Sequence, residues 1–397
     1  MHKESKNILN SLPAIISNTF PIPAKYKSKL PSNIAELSRL LTNKRGERSL
    51  SYLTRPNYLS AYLHYFLPWN IYRLCLLLPA LDINLSRDDT ITDLGCGPLT
   101  FTSALWISRP EFRNLPLEIN CIDRSGPVLD AGKKFFNALS SNAANSSAVK
   151  NECSWKINLI KEDIDIRKFK KSAHQKRKQA ALVCSVNMFN EIYENIPHNN
   201  REGLRLMAEK ASIYMGSEAL PNASILTVEP GVPQSGKFIS LLRDEFIKLN
   251  RLPSSPCTHT EPCPFINKTA NTIRGRNWID TKKRWCHFAF EAYDAPKELH
   301  RLSAAAKLPK DRLVFSYLLT GKHESGGARI ISDAFPLPDN LYGRYGCSEN
   351  GLILVTGNRD KIEELNSLSH VPKNKLVEFS ANNQYDKKSG ALKKGVK

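Results

Sequence analysis

Residues 1–47 are polar and broken by Pro13, Pro21, Pro23 and Pro31, a pattern that predicts an arm with one or two short helices. From residue 49 to 81, aromatics and leucines recur at helical spacing: Tyr52, Tyr58, Tyr62, Tyr65, Tyr72, Leu74 and Leu78. That stretch predicts two core-facing helices broken at Pro68. The rhythm then changes. Short apolar runs at 90–94, 117–122, 155–160, 180–186 and 223–228 predict strands, and the stretches 99–108, 125–139, 201–215 and 236–249 predict helices between or after them. A further apolar run at 315–319 predicts a strand that returns to the same sheet. Strands alternating with helices imply an α/β fold with a doubly wound, mostly parallel sheet.

In such a sheet, ligands bind beyond the carboxyl ends of the strands, near the switch in strand order. Polar groups stand at those ends here. Gly95 and Gly97 follow the first strand, in Asp93-Leu94-Gly95-Cys96-Gly97-Pro98-Leu99. Glycines at such a turn let the backbone approach a ligand, and the following helix start offers unpaired N–H groups. Asp123 closes the second strand, where an acid can accept both hydroxyls of a ribose. Asp163 follows the third, where an acid can accept the amino group of an adenine. Asn187 and Asn190-Glu191 follow the fourth, and Glu229-Pro230-Gly231 the fifth. A dinucleotide-binding fold would also show a glycine turn and an acid, but its Gly-x-Gly-x-x-Gly fingerprint needs glycine at position 100, which is threonine.

Composition narrows the partners. The chain has 397 residues, 41% apolar and 24% charged, enough for a full core. Lys plus Arg is 57 against 38 Asp plus Glu, a net charge of +19 that favours a polyanion, RNA before an anionic membrane. A basic run at Arg167, Lys168, Lys170, Lys171, Lys176, Arg177 and Lys178, and tail lysines Lys387, Lys388, Lys393, Lys394 and Lys397, are candidate phosphate contacts or a solvated face. The longest apolar run, 74–81, is too short to span a membrane.

Nine cysteines are present. Cys75, Cys96, Cys121 and Cys184 lie in apolar contexts and read as small buried hydrophobes. Cys153 has no evident role, and Cys257, Cys263, Cys286 and Cys347 lie in the polar, proline-rich second half. Four thiolates suit a [4Fe–4S] cluster or a zinc ion, but the spacing fits neither a zinc ribbon nor a ferredoxin run, so cluster, zinc and unconnected thiols all stand. Pro262-Cys263 also resembles the nucleophile of an RNA cytosine-5 methyltransferase, yet it lies too far past the fifth strand to meet a methyl group there.

The glycine turn resembles the first motif of the class I S-adenosylmethionine-dependent methyltransferases, with Leu99 where that motif has its third glycine. The resemblance implies that Asp93, Gly95, Gly97, Asp123, Asp163 and Asn187 form a cofactor site. Glu229-Pro230-Gly231, Pro262-Cys263, Arg284-Trp285-Cys286-His287-Phe288 and Phe315-Ser316-Tyr317-Leu318 resemble the mitochondrial-type small-ribosomal-subunit methyltransferase-like family over roughly residues 50–357. That resemblance implies a monomeric, ribosome-bound protein with no membrane contact, partnered by the small subunit and its rRNA. It implies a [4Fe–4S] cluster, with zinc as the alternative, on Cys257, Cys263, Cys286 and Cys347. It also implies a cytoplasmic location in a bacterial member and a mitochondrial one in a eukaryotic member. The expected organisation is an N-terminal arm and helical region (1–85), a cofactor-binding core (86–250), a cysteine-bearing insertion with late strands completing the sheet (251–357) and a segment with a basic tail (358–397). The basic stretch around Arg274, Arg276, Lys282 and Lys283 is an insertion relative to the family. No Asn/Asp-Pro-Pro-aromatic loop follows the fourth strand, so no catalytic residue is assigned. A rRNA methyltransferase, a non-catalytic assembly factor and, against the charge, a small-molecule methyltransferase remain as readings.

Overall fold

A computed structural model describes residues 1–42, 52–145, 154–169, 177–197, 199–266, 272–273, 276–277, 285–323, 326–366, 368–379, 384–386 and 391–396. The chain divides into two compact units, the first made of Met1–Pro197, Ser217–Ala223 and Phe290–Leu313, the second of His198–Gly216, Ser224–Ala289 and Val314–Lys397.

The first unit opens with helices rather than an arm. Helix α1 (Lys3–Thr19) buries Ile8, Leu9, Leu12, Ile15 and Ile16, one stripe at three- and four-residue spacing. Pro13 sits inside it. The Ser5 hydroxyl donates to the Ile107 carbonyl at 2.7 Å, and Glu4 pairs with the buried Arg113. Helix α2 (Leu30–Thr42) follows. The predicted break at Pro68 is absent. Residues Tyr62–Phe66 form a π-helical turn that runs into α3 (Leu67–Leu77), with Pro68 in its first turn, where the missing N–H is not needed.

The strands fall close to their predicted places: β1 (Thr90–Leu94), β2 (Glu118–Asp123), β3 (Lys156–Lys161) and β4 (Ala180–Val186). They pair in parallel in the order β3-β2-β1-β4. Helix α4 (Thr100–Ser108) follows β1 and α5 (Gly126–Asn145) follows β2. Helix α1 packs on α3, α4 and α5, so the N-terminal segment is part of this unit's core. The order reverses at β1, whose neighbours are β2 and β4, and that reversal is the switch point where a ligand is expected.

In the second unit, β5 (Ala219–Pro230) leads to helix α6 (Pro233–Lys248) and the short β6 (Pro253–Ser255). Strand β7 (Arg312–Thr320) runs antiparallel to both, Phe315 facing Pro230 and Thr320 facing Ile225 across the β5 ladder. Residues 315–319 therefore form the predicted strand and pair with β5.

The chain beyond β7 does not complete that sheet. It builds a second one from β8 (Ala328–Ile330), β9 (Tyr342–Ser348), β10 (Gly351–Gly357), β11 (His370–Val371), β12 (Leu376–Glu378) and β13 (Leu392–Val396), in the order β11-β8-β9-β10-β13-β12. Its core holds Ile330, Ile353, Val355, Ile362 and Val371. The expected basic tail is corrected in part: Lys393 and Lys394 lie in β13, parallel to β10, and Lys394 pairs with Glu378 at 2.5 Å. Lys387, Lys388 and Lys397 lie outside the described residues, as do Arg274, Lys282, Lys283 and Cys153.

Candidate cofactor cleft and cysteine pocket

A cleft of about 200 Å³ opens at the carboxyl ends of β1 to β4, lined by Gly95, Gly97, Asp123, Asp163, Asn187 and Met188 among others. Each stands at or just past the carboxyl end of a strand. Gly95 and Gly97 have φ of +64° and +53°, which a side chain disfavours. A Cβ on Gly95 would fall within 2.8 Å of the Met188 side chain. Asp123 Oδ2 accepts the Gly97 N–H at 3.0 Å and Oδ1 accepts the Ser125 N–H at 2.9 Å. Burial raises the Asp123 carboxyl above the usual carboxylate range, and those two donors oppose it. Asp163 is exposed on the rim.

Two sequence candidates behave differently. Asp93 does not line the cleft. It is fully buried in β1, where the Thr102 hydroxyl donates to it at 3.2 Å and the Cys184 thiol lies 3.5 Å away. Asn187 lines the cleft in a left-handed conformation, φ +57°, and its side-chain oxygen accepts from Arg73 at 3.1 Å. Leu99 also lies in the left-handed region, φ +56°, and is fully buried. It adopts the backbone form a glycine would take. The glycine needed for close packing stands opposite it: a Cβ on Gly132, in α5, would meet Leu99 and the Pro98 backbone at 2.6 Å.

Further residues complete the wall. The Tyr52 hydroxyl donates to Glu191 at 3.2 Å, and Arg124 pairs with the same carboxylate at 3.1 Å. Tyr52 and Tyr62 line the cleft although their spacing predicted core. Arg73 was not singled out from sequence. The two arginines of the flanking basic run are committed to acids. Arg167 pairs with Asp165 at 2.7 Å, and Arg177 bridges Glu162 at 2.6 Å and Glu218 at 2.7 Å. Lys170, Lys171 and Lys176 lie outside the described residues.

The second unit gathers the four late cysteines. Cys257, Cys263, Cys286 and Cys347 line one small pocket together with Arg243, His259 and Tyr317. Cys257 and Cys263 come from the loop after β6, Cys286 from the segment before Phe288, and Cys347 from β9. The Cys286 carbonyl accepts from Ser316 in β7 at 2.8 Å, and Gly236 lies so close to Trp285 that a Cβ would meet it at 2.5 Å. Burial and mutual repulsion push the Cys263 thiol up to about 11 and raise Cys286 and Cys347 as well. Among the described residues, no three His, Cys, Asp or Glu side chains converge on a point that could hold a single metal ion. The four early cysteines are free and buried, as their apolar contexts predict.

A family model described as the mitochondrial small ribosomal subunit protein Rsm22 matches residues 89–335. No curated protein matches the chain in sequence. Among solved structures, a methyltransferase from Thiobacillus denitrificans in complex with S-adenosyl-L-homocysteine is 11% identical, with a TM-score of 0.33, covering 63% of this chain and 90% of its own. A methyltransferase from Geobacter sulfurreducens in the same complex is 14% identical, with a TM-score of 0.30, covering 64% and 90%. A Listeria monocytogenes protein described as a class I S-adenosylmethionine-dependent methyltransferase is 10% identical, with a TM-score of 0.32, covering 81% and 88%. Strand order, rather than these superpositions, carries the class I methyltransferase fold. Among the described residues, no helix is long and apolar enough to cross a membrane.

Proposed function

Because the chain belongs to the Rsm22 family, we propose that it is an S-adenosylmethionine-dependent, methyltransferase-type protein that works on the small ribosomal subunit and its rRNA. The observation that carries this reading is the convergence of Gly95, Gly97, Asp123, Asp163 and Asn187 on one cleft at the switch point of the sheet. In this reading the Asp123 carboxylate accepts the ribose hydroxyls and Asp163 faces the adenine. The glycine turn admits the methionine part against the start of α4, whose N–H groups favour its carboxylate. Asp93 supports the turn from behind rather than touching the ligand. Calorimetry with S-adenosylmethionine tests the cleft. Asp123→Ala removes two charge-assisted hydrogen bonds and weakens binding about 100-fold or more. Unchanged affinity in that variant would overturn the assignment.

In the same reading the four cysteines of the pocket hold an iron–sulfur cluster, with zinc as the alternative. A cluster has several irons and spreads its four ligands, and the buried Arg243 offers charge compensation. When bound, a cluster supplies metal–thiolate bonds that tie the 257–263 loop and the Cys286 segment to β9. Anaerobic purification with iron and sulfide analysis checks this, and a colourless, zinc-loaded protein would rule it out.

A second reading has its own support. Asn187 is engaged by Arg73, and Met188 packs where a base-positioning loop would stand. A protein that binds the cofactor and the subunit without transferring a methyl group fits that arrangement. Mapping small-subunit rRNA methylation in cells lacking the protein separates the two. Unchanged methylation with defective subunit assembly leaves the non-catalytic reading alone.

A further inference from the structure

We propose that Arg243 and His259 set the charge balance and reduction potential of the group held by the cysteine quartet. Arg243 acts as a buried counter-charge, and His259 as a hydrogen-bond donor to the Cys347 sulfur. The inference rests on the reading that the quartet takes an iron–sulfur cluster.

Arg243 lies in α6, one helical turn beyond Ile239 and Ser240, and all three line the pocket. Its side chain is 2% exposed. One guanidinium nitrogen, Nη2, donates to the carbonyls of His259 at 2.7 Å and Glu261 at 2.8 Å, both within the loop that carries Cys257 and Cys263. The other, Nη1, pairs with Asp244 at 2.6 Å, a carboxylate that is 35% exposed. Nε has no hydrogen-bond partner among the described residues. The helix thus delivers a cation to the base of the pocket, pins the ligand loop with it and leaves one N–H unspent. A cluster held by four thiolates is negatively charged, and the charge grows on reduction. A buried cation therefore favours the reduced form and raises the potential.

His259 is 4% exposed, and its Nε2 lies 3.3 Å from the Cys347 sulfur. A metal-bound thiolate has no proton to give, so the ring nitrogen must be the donor. Hydrogen bonds to ligand sulfurs withdraw charge from the cluster and also raise its potential. Arg243 lines the pocket with all four cysteines, whereas His259 contacts the Cys347 sulfur.

The test is a redox titration of anaerobically purified full-length protein, followed by visible absorption and by electron paramagnetic resonance, with iron and sulfide measured on each sample. Arg243→Gln keeps hydrogen-bonding reach but loses the charge; Arg243→Lys keeps the charge. His259→Phe loses the donor; His259→Gln keeps one. With iron content equal to wild type, Arg243→Gln and His259→Phe titrate at more negative potentials, and Arg243→Lys and His259→Gln lie closer to wild type. A purely structural role lowers iron content and leaves the potential of the loaded fraction unmoved, and that result overturns the proposal while the cluster reading survives. If Arg243→Gln fails to hold iron, the His259→Phe and His259→Gln pair decides, and equal potentials in that pair overturn it. Iron-free wild-type protein removes the cluster reading and this proposal together.

Discussion

Asp93 is buried in β1 with a hydroxyl and a thiol for partners, and burial pushes its carboxyl up to about 7. In an unfolded chain the same group titrates near 3.9. Between those values the folded protein holds the proton and the unfolded chain does not, so stability falls as pH rises through this window. The stabilisation is complete below about pH 4 and lost above about pH 7, a swing of about 4 kcal/mol at most. Asp93→Asn cannot ionise, so urea unfolding of that variant should lack the decline seen in the wild type between pH 4.5 and 7.5. Parallel profiles would show that Asp93 does not hold its proton when folded. The same residue shows what sequence reveals at this scale. Strand-end residues such as Asp123 and Asp163 are legible because their place follows from where a strand stops. The face a strand residue takes is not, when both faces are buried: all five residues of β1 are buried, so no alternation marks which way Asp93 points. Tyr52 and Tyr62 were hidden for a related reason, since helical spacing gives a core tyrosine and a cleft tyrosine the same pattern.

At the scale of elements, the turn after β1 shows how the fold compensates for a missing glycine. Leu99 pays about 1–2 kcal/mol for its left-handed backbone, and its fully buried side chain offsets that by leaving water. Close approach of the turn to α5 then depends on Gly132. Gly132→Ala places a methyl group 2.6 Å from the Pro98 backbone, which cannot move aside without moving the turn. The expected cost is about 1–3 kcal/mol of stability, together with weaker S-adenosylmethionine binding, because Gly95 and Gly97 belong to the same turn. Thermal unfolding and calorimetry on one preparation check both effects. Wild-type values in both would mean that the turn tolerates displacement. Strands β1 to β4 were readable because each is a short apolar run bounded by turn residues. Helix α1 was not, because Pro13 falls mid-helix and argued for a break despite the stripe from Ile8 to Ile16. The second sheet escaped notice because strands such as β8 and β11 are two or three residues long and pair across about forty residues of chain.

For the whole molecule, the question is where a net charge of +19 is free to act. The sequence presents residues 167–178 as one basic run, but Arg177 is 13% exposed and held by Glu162 and Glu218, and Arg167 is held by Asp165. Such pairs support the first unit and have little left for phosphate. Arg177→Gln should therefore lower the melting temperature, since it strands the nearly buried Glu218 carboxylate, and leave the salt dependence of rRNA binding as it was. The lysines between these arginines carry the opposite expectation. Replacing Lys170, Lys171 and Lys176 together with glutamine should leave melting unchanged and flatten the plot of log affinity against log salt. The change should be about 0.7–0.9 for each lysine that contacts phosphate. Filter binding of the full chain to small-subunit rRNA over a salt series measures the slope. If neither Arg177→Gln nor the lysine triple reduces it, the basic run is a solvated face, and the polyanion surface must be sought among the remaining cations of the chain.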